Sequence, residues 1–340
     1  SDVVAHSAGI LDIKTNILPN ADALFLTAID PYGHELWRWT FPVNKLNQQT
    51  EQLSPLSSRP TYTETENDLT VKANKRTFIF SKKDGQLKGV SVDNRKISFA
   101  NGPRFIGARR ADRSLDQFYN HDDEKAKEKD RTYSEFPDAA VFTKLDVKQD
   151  GGDLIVTANY KLGNLDKAQW TINPSGDLAL DYTYNFSGVV DLMGIRFDYP
   201  EDQVISKRWL GAGPYRVWQN RIHGTQYDVW ENDYNDPIPG ETFTYPEFKG
   251  YFGDVSWMNI QTKEGTISLT NETPDAYIGV YQPRDGRDRL LYTLPESGIS
   301  VLNVIPPVRN KVNSTDLCGP SSQPKWVNGP QTGRVIFRFM

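Results

Sequence analysis

Cysteine is almost missing from this chain. Cys318 stands alone in 340 residues, so no disulfide can close within it and no cage of thiolates can hold a metal. Its setting, "STDLCGPSSQP", is a Ser/Pro/Gly-rich loop without a histidine near it in sequence, which marks an inert thiol rather than a nucleophile. A basic excess is missing too. The formal charge is −5 and the lysines and arginines are scattered, which argues against nucleic acid as a partner. No apolar run reaches the length of a bilayer crossing, so no membrane span is expected. The opening "SDVVAHSAGILDIKT" has neither the cationic start nor the apolar core of an export signal; either a signal has been removed or the chain begins inside a longer polypeptide. Long helical periodicity is absent as well. What remains is 37% hydrophobic and 24% charged residues, a globular balance rather than a disordered one.

Short runs with a period of two fill the sequence. "LTVKANKRTFIFS" (Leu69 to Ser81), "GDLIVTANYKL" (Gly152 to Leu162), "GDLALDYTYNFSG" (Gly176 to Gly188) and the terminal "GRVIFRFM" each place alternate side chains on one buried sheet face. Turn residues separate them: "KKDGQL", "KQDGGD", "NPSGD" and "TKEGT" read as hairpin turns. Aromatics at 12% suit strands. The expected fold class is all-β, a large antiparallel two-sheet supersandwich, because the length after the first segment far exceeds one immunoglobulin-like sandwich.

Two segments interrupt the rhythm. Residues 46–68, polar and carrying Pro55 and Pro60, read as a linker. Leu115 to Phe136 mixes both charge signs densely and reads as a solvated excursion. Ahead of the linker, "ALFLTAIDPYGHELWRWTFPVN" is a hairpin folded at "DPYG". A hairpin buries too little to stand alone, so residues 1–45 are expected to be the end of a sandwich domain, docked onto the larger domain after it. Residues 69–340 then form that large domain.

The chemistry-bearing residues leave several readings open. Glycosidases use two carboxyl groups, roughly 5–5.5 Å apart for retention and further apart for inversion; with 44 Asp plus Glu, only surroundings can choose between them. Glu231 in "VWEN" and Glu247 in "YPEFKG" sit among aromatics that can raise a carboxyl pKa, or else each accepts hydrogen bonds from a neighbouring Arg or Trp. His121 with Asp122, Asp123 and Glu124 fits no ligand spacing and is followed by lysines, so it reads as solvated surface. His223 in "NRIHGTQY", paired with Glu247, would make a mutarotase-like acid–base pair; the alternative is a satisfied polar residue at a cleft rim. Trp209, Trp218 and Trp230, with Tyr215 and Arg221, supply the flat faces and donors that bind sugars, or the aromatic corner of a core. The "GAGP" within this stretch is expected to bend sharply rather than run as a regular strand. No cofactor and no metal is called for.

"WLGAGPYRVWQNR", Trp209 to Arg221, resembles the Trp-Leu-Gly-x-Gly-Pro signature, ending in Asp-Arg, of the last β-domain of bacterial β-galactosidases of glycoside hydrolase family two; Asn220 stands where Asp is usual. Collinear blocks extend the likeness. "LTVKANKRTFIFSKKDGQLKGV" is similar to that domain's opening hairpin. "GPRFIGARRADRS" is similar to its Arg-Ala-Pro-x-Asp-Asn segment, with Arg109 or Arg110 and Asp112 as counterparts, and "GRVIFRFM" to its closing strand. "ILPNADALFLTAIDPYGHELWRWTFPVN" is similar to the end of the preceding immunoglobulin-like domain.

The resemblance implies a galactose-mutarotase-like supersandwich behind the remnant of an immunoglobulin-like sandwich. It also implies a non-catalytic role, because the family's two catalytic glutamates lie on a preceding (β/α)₈ barrel of roughly 250 residues, for which the sequence has no pattern. The implied partners are a galactoside-like glycan and a catalytic barrel of the same polypeptide or of a partner chain; the candidate contact residues are Arg109, Arg110 and Asp112 from the resemblance, and Trp209, Tyr215, Trp218, Arg221, His223, Trp230, Glu231 and Glu247 by residue type. The family's Gly-Gly-Asp-Asp-Ser-Trp loop corresponds here to "VNSTDLCGPSSQP", without Trp after Asp316, although Trp326 lies near. A secreted or periplasmic address follows from family analogy alone. The alternatives are a stand-alone aldose 1-epimerase-like enzyme and a structural interaction domain without sugar binding.

Overall fold

The computed structural model describes residues 4, 6–10, 21–43, 58–110, 133–233, 250–280, 295, 298–307 and 319–340. They divide into two compact units, Ser1–Thr50 and Glu51–Met340. Among the described residues there are strands and two short 3-10 turns, Glu201–Gln203 and Pro320–Ser322, and no helix is long and apolar enough to cross a membrane.

The first unit contains the expected hairpin, β1 (Ala23–Ile29) against β2 (Glu35–Pro42). "DPYG" makes its turn because the Asp30 carboxylate accepts the N–H groups of Tyr32 and His34, both at 2.8 Å, while Gly33 takes φ +89°. Register and alternation put Leu24, Leu26, Ala28, Trp37, Trp39 and Phe41 on one face of this ribbon.

The second unit starts with a meander: β3 (Thr61–Glu64), β4 (Asp68–Ala73), β5 (Arg76–Ser81), β6 (Leu87–Val92) and the short β7 (Arg95–Ile97), leading into β8 (Ala100–Arg110) and β9 (Tyr133–Glu135). Next come β10 (Val141–Asp150), β11 (Asp153–Lys161), β12 (Leu165–Ile172), β13 (Leu178–Val190), β14 (Leu192–Asp198), β15 (Val204–Gly213) and β16 (Gln226–Asp233). The last five are β17 (Trp257–Thr262), β18 (Gly265–Asn271), β19 (Tyr277–Val280), β20 (Ile299–Val304) and β21 (Lys325–Phe339). All four sequence-marked turns are hairpins, with Gly85, Gly151, Gly176 and Gly265 at positive φ. One expectation changes. Thr61–Glu64 lies inside the predicted linker yet is a strand paired with β4, because its β-branched threonines alternate and Thr65 closes a turn on Asp68. The two prolines just ahead of it hid that signal. Most of the charged excursion lies outside the described residues; its end, Tyr133–Glu135, is strand β9 beside β8.

Among the described residues of this unit, two antiparallel sheets result. One has nine strands in the order β10-β11-β12-β13-β21-β18-β17-β15-β16; the other runs β19-β20-β14-β8-β6-β5-β4-β3, with β7 on β6 and β9 on β8. Their inner faces share one core: Phe78, Phe80, Phe99 and Phe197 from the second sheet and its connections meet Trp170, Tyr182, Trp209 and Phe337 of the first. Phe99 stacks on Phe197 at 4.7 Å and meets Phe337 at 5.0 Å. Polar clasps join the sheets at one end. Buried Arg76 of β5 donates to the carbonyls of Phe339 and Ser175, each at 2.6 Å. Glu264, in the β17–β18 turn, accepts from the Ser98 N–H (2.8 Å), the Ser98 hydroxyl (2.6 Å) and the Tyr199 hydroxyl (3.1 Å). Such bonds satisfy buried groups that would otherwise oppose folding.

The second sheet is covered on its outer face as well. In β8, Phe105 faces the main core while Ile106 and Ala108 face away, into a smaller apolar cluster with Leu192, Leu302 and Ile305. The other members of that cluster, Val217, Trp218 and Tyr251, come from the aromatic segment after β15 and from the stretch it pairs with.

Candidate functional site

β15 runs as a regular strand through Gly211, Ala212 and Gly213, paired with β16 to the last residue. The expected bend inside "GAGP" therefore falls after Gly213, at Pro214. The two glycines serve closeness, not curvature. A Cβ on Gly213 would lie 2.3 Å from Cδ1 of Trp230, whose ring covers it, and one on Gly211 would lie 3.0 Å from the Gly253 carbonyl oxygen and the Val255 Cα. Past Pro214 the chain crosses to the outer face of the other sheet. There Val217 pairs with Tyr251 and Phe252 pairs with Ile278 of β19, so the segment is stitched to the sheet edge.

This path sorts the predicted residues. Trp209 is fully buried between the sheets, its Nε1 donating to the Ala212 carbonyl at 3.0 Å and its ring edge-on to Phe252 at 4.9 Å. Trp218 is buried in the outer cluster, edge-on to Tyr251 at 5.8 Å. Neither ring offers a face to a sugar: two of the three tryptophans expected to leave a wall for ligand are packing residues. Trp209 lies on the buried beat of a regular strand, whereas Trp218 follows the Gly-Pro break, past which alternation no longer reports burial. Trp230 is half-buried, packed on the main core and donating to the Gln226 carbonyl at 3.1 Å. Glu231 is exposed, opposite Arg208 in the β15–β16 register.

The part of the segment left at the surface is small. The Tyr215 hydroxyl donates to the His223 carbonyl at 3.1 Å, and the Arg221 guanidinium lies 5.9 Å from the Tyr215 ring centroid. His223 itself is exposed. Arg109, exposed, and Arg110 end β8 opposite Ser134 and Tyr133. Asp112, His121 and Glu247 lie outside the described residues, so the His223–Glu247 pair is not assembled among them. The structure brings Tyr215, Arg221 and His223 together, and it sets the Val217–Trp218 stretch on the same face as the end of β8 through the outer apolar cluster.

Polar side chains hold the segment. Gln219 donates from its side chain to the Gln323 carbonyl at 2.7 Å and from its backbone to the Pro306 carbonyl at 3.0 Å, and Asn220 donates to the Ser322 hydroxyl at 3.2 Å. Arg216 is 1% exposed with its guanidinium 5.7 Å from the Phe252 ring centroid. Lys207, fully buried, is in phase with Trp209 along β15, which is the signal that could have located it. Tyr277 packs against the outer cluster, and burial, with Asp254 and Asp275 nearby, raises its pKa.

The fold is thus an all-β supersandwich of two antiparallel sheets with an aromatic segment clasped across one outer face. Residues 72–306 match the family model described as beta galactosidase small chain, and the chain belongs to that family. Among solved structures it is similar to galactose 1-epimerase from Lactobacillus acidophilus NCFM, at 9% identity over 83% of this chain and 99% of that one with a TM-score of 0.46. It is also similar to HI1317, at 8% identity over 83% and 100% with a TM-score of 0.38. No curated protein matches the sequence.

Proposed function

We propose that this chain is the non-catalytic, C-terminal portion of a β-galactosidase-like enzyme of glycoside hydrolase family two, shaping the carbohydrate site of a catalytic barrel. The barrel belongs to the same polypeptide or to a partner chain. The observation that carries this reading is the match of residues 72–306 to the beta galactosidase small chain. The geometry supports it: the Arg221 guanidinium lies near the Tyr215 ring, the Tyr215 hydroxyl bonds the backbone carbonyl of exposed His223, and the Arg221 backbone pairs with that of buried Trp218. Such a surface stacks on a sugar and donates to its hydroxyls. Rigid support of that kind gives positioning at a barrel mouth, and the barrel supplies the bond-breaking carboxyl groups. Arg109, at the end of β8, extends the same role. A galactoside-like glycan is the ligand, and a secreted or periplasmic address accompanies polysaccharide use.

The test is an assay of the chain alone. On aryl β-galactosides it should show no turnover, and in polarimetry on fresh α-galactose it should leave mutarotation at the uncatalysed rate. Turnover lost on changing Glu231 or Glu247 would overturn the proposal in favour of a hydrolase. Accelerated mutarotation lost on changing His223 would overturn it in favour of an epimerase.

A further inference from the structure

Asparagine followed by glycine occurs twice in this sequence, at Asn101-Gly102 and at Asn328-Gly329. The backbone nitrogen after an asparagine can attack that residue's own side-chain amide, and glycine puts no side chain in the way. The fold treats the two pairs in opposite ways. Asn101-Gly102 is locked. The Asn101 amide donates to Asp198 Oδ2 at 2.9 Å, and Gly102 is buried so closely that a Cβ on it would fall 2.3 Å from the Phe197 ring and 2.7 Å from the Arg196 carbonyl oxygen.

Asn328-Gly329 is open. β18 ends at Asn271, opposite Val335, and β12 begins at Leu165, opposite Tyr184. Among the described residues, 325–330 of β21 and 185–190 of β13 are therefore a two-stranded ribbon with no third strand to stiffen it. Val327 and Phe186 pack toward the main core, so Asn328 and Ser187, opposite each other in register, share the outer face. Asn328 is exposed, Gly329 has φ +92°, and a Cβ on Gly329 would meet nothing within 4 Å.

Ser187 completes the arrangement. Its hydroxyl donates to Asn328 Oδ1 at 2.9 Å, and its oxygen accepts the Gly329 N–H at 3.4 Å. One side chain thus touches both reacting groups: the carbonyl that must take up negative charge and the N–H that must give up its proton. A donor on the oxygen where charge develops stabilises the tetrahedral intermediate, and an acceptor on the N–H begins its deprotonation.

We propose that Asn328 is a self-modifying site, converted to aspartate and isoaspartate with Ser187 handling the charge and the proton. The Gly329 nitrogen bonds to Asn328 Cγ, the bond from Cγ to the side-chain nitrogen breaks, and ammonia leaves with the proton that the Gly329 nitrogen has given up. The resulting succinimide takes up one water. Opening at Cγ restores the main chain as aspartate; opening at the main-chain carbonyl leaves isoaspartate. Nothing is oxidised or reduced, and water is the only other reactant. Either product adds one negative charge to a chain of formal charge −5. Isoaspartate also carries the main chain through one extra carbon, so the pairs Asn328–Ser187 and Gly329–Phe186 can no longer hold register together. The site needs neither sugar nor barrel; it goes beyond the function proposed above and can fail without it.

Peptide mapping of the whole chain, kept folded at mildly alkaline pH, tests the inference. Trypsin releases Asn328 within residues 326–334 and Asn101 within residues 97–104. The expected result is that over days the first peptide gives way to two species, each heavier by the exchange of an amide for an acid, while the second keeps its asparagine. Ser187→Ala should slow the conversion about tenfold, the loss of one hydrogen bond to the charge-bearing oxygen, and Ser187→Thr should keep the parental rate. A ribbon merely loosened by the alanine would convert faster, so the direction of the change separates a chemical role from a structural one. No conversion of Asn328 in the folded chain, equal conversion of Asn101, or a Ser187→Ala rate equal to or above the parental one would each overturn the proposal.

Discussion

Gly213→Ala is the sharpest probe of why the "GAGP" signature exists. Gly213 has an ordinary strand conformation, outside the positive-φ set, so alanine meets no backbone strain there. What it meets is the Trp230 ring, with Cδ1, Nε1 and Cγ at 2.3, 2.5 and 2.6 Å from the new Cβ. Contacts that short cannot persist, so the half-buried ring must swing away from the main core. Overpacking of this kind costs about 1–3 kcal/mol. Removing the ring should reverse the sign: in a Trp230→Ala background, Gly213→Ala loses its three shortest contacts and should stabilise by about 0.4–1 kcal/mol through a less flexible unfolded chain. A double-mutant cycle read by urea unfolding measures the coupling directly. Equal costs of Gly213→Ala in both backgrounds would refute the reasoning and return the glycine to a conformational role. Gly211→Ala is the contrast, because its neighbours are backbone atoms of Gly253 to Val255 and no side-chain truncation can rescue it.

Three further outcomes are expected. Trp218→Ala empties the outer cluster beside Ile106, Ala108 and Tyr251 and should destabilise by about 3–5 kcal/mol; limited proteolysis should then cut between residues 214 and 224, whereas Trp218→Phe should stay protected. Asp177 is resisted by burial, but its bonds to Arg338 at 2.6 and 2.7 Å, helped by Asn173 and Ser175, hold its pKa below the usual value. Its stabilising contribution is therefore complete above the unfolded-state carboxyl pKa and is lost as pH falls through the lower folded value; Asp177→Asn should flatten the acid limb of a stability–pH curve and lower stability at neutral pH. In an assembled enzyme, Tyr215→Ala and Arg221→Ala should raise KM for a galactoside with little change in kcat, the mark of lost ground-state contacts.

The strands and turns of this molecule were legible because they are local. "KKDGQL", "KQDGGD", "NPSGD" and "TKEGT" each place a glycine where the turn needs positive φ, and each became a hairpin. The sheet order was not legible, since β21 inserts between β13 and β18 and joins residues such as Asp181 and Arg334, 153 positions apart. The aromatic segment failed differently. Trp209 belongs to an ordinary strand and follows its alternation, but Trp218 leaves one sheet and is buried against the far side of the other, and no period in the sequence records that crossing. Tyr215, Arg221 and His223 were candidates by residue type; the structure sets the Arg221 guanidinium near the Tyr215 ring and bonds the Tyr215 hydroxyl to the His223 backbone carbonyl.

The accessory role is tested most directly by reconstitution. A barrel-bearing β-galactosidase polypeptide lacking this region should be weakly active on an aryl β-galactoside, and adding this chain should restore turnover that saturates at equimolar ratio, while the chain by itself stays silent. Turnover by this chain alone, or a barrel whose activity is indifferent to its presence, would contradict the account.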